Sequence, residues 1–99
     1  MRLEDLPLRC PCCGHKTLSR RGVFEACAVC FWEDDGQDDH DVGAVRGGPN
    51  GSLTLAAARA NYQEFGACEE RFQSDVRRPL PAELPDSDAI GHNASSKSN

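Results

Sequence analysis

No stretch of this 99-residue chain approaches the ~18 consecutive apolar residues of a membrane-spanning helix. The opening Met1-Arg-Leu-Glu-Asp-Leu-Pro7 lacks the apolar segment of a secretory leader, so the expected compartment is the cytoplasm. Leu, Ile, Val and Phe are sparse while Gly and Pro are frequent, so little material exists for a hydrophobic core. Basic charge is also in deficit: the net charge is −5 with a pI near 5.0, which argues against a nucleic-acid footprint. The turn-rich Gly47-Gly-Pro-Asn-Gly51 is not followed by the Lys-Ser/Thr pair of a phosphate-gripping loop, and no internal repeat stands out. The length allows one domain, expected over residues 1–80, with 81–99 as a disordered tail rich in Pro, Ser and Asn. Some 75–80 folded residues give only a marginal core, and such a chain needs a staple.

Six cysteines can supply one. Cys10-Pro11-Cys12-Cys13-Gly14 and Cys27-Ala28-Val29-Cys30 are two C-x2-C pairs with 13 residues between them. Two residues between thiolates let a tight turn aim both sulfurs at one ion, and two such turns complete a tetrahedron. Pro11 fixes φ at the first corner, and Gly14 can take the positive φ of such a knuckle. The intervening segment fits a short hairpin, Lys16–Leu18 and Val23–Ala26 around a turn at Ser19–Gly22. The expected fold is thus a small zinc-stabilised α+β domain: a zinc-ribbon-like hairpin with two knuckles, one main helix and a short second helix.

Cys-Pro-x-Cys also opens a helix in glutaredoxin-like redox enzymes, but Gly14, Thr17, Ser19 and Gly22 show no 3.6-residue apolar repeat. Disulfides are disfavoured in a reducing cytosol. One zinc held by Cys10, Cys13, Cys27 and Cys30 is therefore the preferred reading. Four thiolates close the coordination sphere and leave no position for water, so the metal is expected to be structural and the chain not an enzyme. Cys12 cannot easily share an ion with adjacent Cys13 and is read as pointing outward. Cys68 reads as a small buried hydrophobe. His15, His40 and His92 fall outside the ligand spacing.

After the second knuckle, Phe31-Trp32 is expected to pack in the core. From Phe31 to Asn50, six acids stand against Arg46, a local charge of −5. Gly36 falls third after Asp34 and does not fit a calcium loop, so a solvated acidic loop is the default. Leu55, Ala58, Arg59, Tyr62 and Phe65 lie on one face of a helix with Thr54 as N-cap and Gly66 at its C-terminal cap. Arg59 can pair with the acidic loop or reach water. A second short turn is expected over Cys68–Ser74.

The strings CPCCGHKTL, CAVCFWEDD, GGPNG and ARANYQEFGAC, spread over about residues 8–80, resemble the cysteine-rich CPCC domain family of bacteria. Ala28 stands where that family usually has Pro, and one extra residue sits between Asn50 and the helix; neither change removes a ligand. The resemblance implies a zinc-ribbon-like domain and no particular biochemical activity.

Two functions remain open at this level. One is a protein-interaction module, of adaptor or antitoxin/immunity type, whose partner has a basic surface. The alternative is a nucleic-acid-binding ribbon using Arg20 and Arg21, since residues 1–30 carry a net +2. The charge pattern predicts no appreciable binding to duplex DNA or RNA at physiological salt. A gel-shift titration checks this, and tight binding weakened by Arg20→Ala and Arg21→Ala would reverse it.

Overall fold

The computed structural model describes residues 7–85, and its longest element is a helix, α1 (Leu55–Phe65). Its limits are chemical. Thr54 has extended backbone and its Oγ1 accepts from the Ala57 N–H, while Gly66 adopts the left-handed conformation at φ 80° and donates to the Tyr62 carbonyl. Leu55 and Ala58 are buried on the face that meets the core. Among the described residues no helix is long and apolar enough to cross a membrane.

The sheet is small. Strand β1 (Leu8–Arg9) pairs antiparallel with β2 (Lys16–Leu18), with Leu8 opposite Leu18 and Arg9 opposite Lys16. This hairpin encloses the first cysteine pair, which corrects the expectation that β2 pairs with 23–26. Residues 24–26 pair forward instead. Ala26 bridges Glu33, Phe24 N–H bonds the Asp34 carbonyl, and Asp34 N–H bonds the Glu25 carbonyl. The Ser19–Gly22 turn is held by side chains. The Glu25 carboxylate accepts from Ser19 N–H, Ser19 Oγ and Arg20 N–H at 2.9, 2.9 and 3.2 Å.

The acidic segment is not a free solvated loop. Asp34 is fully buried and accepts from Arg21 Nε (2.6 Å), Gly22 N–H (2.7 Å), Trp32 Nε1 (3.3 Å) and Gly36 N–H (3.4 Å). Arg21 also bonds Asp38 at 2.9 Å and the Gln37 carbonyl at 2.8 Å. The same segment closes the start of α1: Gln37 Oε1 accepts from Leu55 N–H and the Val42 carbonyl from Ala56 N–H. Arg46 pairs with Asp41, and Arg59 reaches Asp39 at 2.7 Å and the Pro11 carbonyl at 2.8 Å. Of the two roles open for Arg59, pairing is the one observed. The physical reason is that buried N–H groups need acceptors, and this loop is the nearest source.

The core comprises Trp32, Leu18, Leu55, Val29 and Ala58 with five of the cysteines. Trp32 is wholly buried, as expected. A six-residue 3-10 segment, Glu70–Asp75, brings Phe72 onto Phe31 with ring centroids 4.4 Å apart, while the Arg71 guanidinium lies 4.3 Å from the Phe72 centroid. Ordered contacts run past residue 80: Pro81–Glu83 forms a 3-10 turn, Glu83 pairs with Arg77 at 2.8 Å, and Arg9 bonds the Pro85 carbonyl. The rest of the expected tail, 86–99, lies outside the described residues.

Removing the Asp34 carboxylate leaves several donors facing a void, so Asp34→Ala should cost about 2–4 kcal/mol, against about 1 kcal/mol for Thr54→Ala. Denaturant unfolding of the two variants checks the order. Asp38 adds an acid sensitivity. The Arg21 hydrogen bond holds its carboxyl below the ordinary range, so that pairing stabilises the fold at neutral pH and is lost as pH falls through the depressed value.

Candidate metal centre

Each cysteine pair is built by the same local device. In the first, Cys10 N–H bonds the His15 carbonyl at 2.8 Å and Gly14 N–H returns to the Cys10 carbonyl at 2.8 Å. In the second, Cys27 N–H bonds the Trp32 carbonyl at 2.9 Å and Phe31 N–H returns to the Cys27 carbonyl at 2.7 Å. The fifth residue takes a positive φ in both, +81° at Gly14 and +73° at Phe31. Glycine accepts that conformation freely, whereas Phe31 is strained there and is held by its stack on Phe72.

The two turns face one another. The Sγ atoms of Cys10, Cys13, Cys27 and Cys30 all lie within 4.8 Å of one another, with Cys10–Cys30 at 3.6 Å and Cys13–Cys27 at 3.7 Å. Tetrahedral coordination at Zn–S distances near 2.3 Å requires sulfur–sulfur edges of about 3.8 Å. The donor set and its spacing therefore fit one tetrahedral ion. Three of the sulfurs are buried and Cys13 is half-buried. Thr17 Oγ1 lies 2.9 Å from Cys27 Sγ, and Val29 N–H points at the same sulfur at 3.4 Å. Such donors stabilise and orient a thiolate ligand.

The electrostatics of the cluster are those of four acids sharing too small a space. Hydrogen bonds from Cys10, Cys13 and Cys30 push the Cys27 thiol down. Sulfur contacts led by Cys10 push Cys13 and Cys30 up. A divalent cation between the sulfurs would favour the thiolate form of all four, and its binding would release protons.

The remaining titratable groups sit outside the set. Cys12 is buried at 7% exposure and does not point outward; the knuckle turns its side chain into the core. Cys68 is buried at 1% exposure, and burial pushes its thiol up to about 12, as befits an inert hydrophobe. His15 places a buried Nδ1 that has no hydrogen-bond partner among the described residues, and its ring stands edge-on to Tyr62 at 6.0 Å. His40 is exposed, and His92 lies outside the described residues. Thr17, and the strained Phe31 in the place of Gly14, went unnoticed in the sequence. The 17-residue offset that carries Cys10, Cys13 and Gly14 onto Cys27, Cys30 and Phe31 was the available signal.

The sequence profile of the cysteine-rich CPCC family matches residues 8–83. The chain belongs to that family. Compared with curated proteins and with solved structures, it matches none.

The geometry separates the cysteines by their effect on metal content. Cys13→Ala and Cys27→Ala should lose the metal. Cys12→Ala should keep the full complement and cost only about 1 kcal/mol of packing. Metal analysis of the three purified variants checks this, and acidification should release metal from the wild type as the thiolates take up protons.

Proposed function

We propose that this chain is a protein-interaction domain organised by one structural zinc ion, with Cys10, Cys13, Cys27 and Cys30 as its thiolate ligands in a zinc-ribbon-like arrangement. The observation that carries the reading is the convergence of four sulfurs within 4.8 Å in a domain with little other core. Four thiolates leave no open coordination position, which supports a structural ion over a catalytic one. The ion fixes the two knuckles; the surfaces they support do the work. A net charge of −5 favours a partner with a basic surface.

Nucleic-acid binding is the weaker reading. It needs Arg20 and Arg21 free at the turn, but Arg21 is bonded to Asp34, Asp38 and the Gln37 carbonyl. That arginine is committed to the fold.

Elemental analysis with X-ray absorption tests the metal: one zinc per chain with four sulfur neighbours is expected. Iron in the same site, or fewer than four sulfurs, would overturn the assignment. Affinity capture from cell extract, with loaded and with chelated protein, tests the interaction role. A specific protein retained only by the loaded form is expected.

A further inference from the structure

The acids from Glu25 to Asp41 divide into two sets. Asp34, Asp38, Asp39 and Asp41 are matched by Arg21, Arg59 and Arg46. The carboxylates of Glu25, Glu33 and Asp35 form no ion pair among the described residues, and Arg46 meets Asp35 only at its backbone carbonyl, at 2.9 Å. The Glu25 carboxylate is met by Ser19 and the Arg20 backbone, and the Asp35 carboxylate by Gln37. The Glu33 backbone is held by Asn50, and the residue is partly exposed. Glu25 and Glu33 belong to the ribbon formed by residues 24–26 and 33–34, and Asp35 follows directly on it.

At the end of that ribbon stand Val23 and Phe24, each half exposed. Phe24 N–H bonds the Asp34 carbonyl while Asp34 N–H bonds the Glu25 carbonyl, so two residues oppose one in a β-bulge. The first residue of such a bulge takes a left-handed backbone and is ordinarily glycine; here it is Phe24, at φ 66°. The edge of its ring lies beside Gly48. Bulges re-aim side chains, and neither burial nor backbone preference accounts for an aromatic at this position.

We propose that Val23 and Phe24 form the anchor of a docking surface rimmed by Glu25, Glu33 and Asp35. Its occupant is a partner protein presenting an apolar pocket edged with Lys or Arg. Exposed aromatics dominate such contacts when they enter a pocket, and unmatched carboxylates around them select a basic rim and speed encounter. The inference rests on the interaction-domain reading and locates its surface. The arginine-matched acids 34, 38, 39 and 41 serve the fold and not the partner.

The test places a photo-cross-linking residue at the anchor, Phe24→p-benzoylphenylalanine, and separately at a distant exposed site, Leu80→p-benzoylphenylalanine, in the cell that makes the protein. Cross-linking to one basic protein from position 24 and not from 80 is expected. That protein, purified, should then bind roughly tenfold or more weakly to Phe24→Gly and to Glu33→Gln/Asp35→Asn. Phe24→Gly relieves the backbone strain, so its melting temperature should hold or rise and loss of binding cannot be blamed on unfolding. Cross-links from 80 alone overturn this surface and leave the interaction reading standing; cross-links from neither overturn both. Unchanged affinity of Phe24→Gly also overturns the surface.

Discussion

Four thiol sulfurs within 4.8 Å of one another repel as soon as more than one ionises, and a divalent cation between them turns that repulsion into attraction. The rest of the domain is arranged around this point. Its apolar core has one tryptophan, two buried leucines and small residues, too little to hold some 79 residues by burial alone. On the proposed reading the ion supplies the cross-link that the core lacks. A disulfide would do so less well, because the two turns present four sulfurs as a tetrahedron and not as two isolated pairs.

The second knuckle carries more than its share. Its backbone carbonyls at Ala28 and Cys30 accept from Arg77 N–H and Cys68 N–H, and its Phe31 ring stacks on Phe72. Residues 68–77 are therefore docked on the residues between and beside Cys27 and Cys30. The first knuckle is tied to α1 through Arg59, which bonds the Pro11 carbonyl and Asp39 together. Metal site, helix and acidic segment are one mechanical unit, and a change at the sulfurs should reach all three.

Much of this was legible in residues. Thr54 and Gly66 marked the helix because a side-chain acceptor and a left-handed glycine are what helix ends require. The cysteine spacing marked the cluster because two-residue gaps fix how sulfurs point. The strand pairing was not legible, because the partners of 23–26 were decided by Asp34. A carboxylate that looks solvated in sequence is buried when an arginine, a tryptophan N–H and two backbone N–H groups converge on it. The bulge at Phe24 was likewise invisible, since no propensity places an aromatic at positive φ, and the strain at Phe31 could be read only from the offset that sets it in the place of Gly14.

Hydrogen exchange of the backbone amides, with the metal bound and after chelation, addresses the central claim most directly. The amides of Cys10, Gly14, Cys27 and Phe31 close the two knuckles, and those of Cys68 and Arg77 dock the later segment onto the second. The account predicts that all six lose protection together when the metal is removed. Full protection of the Cys27, Phe31, Cys68 and Arg77 amides in the metal-free protein would contradict it.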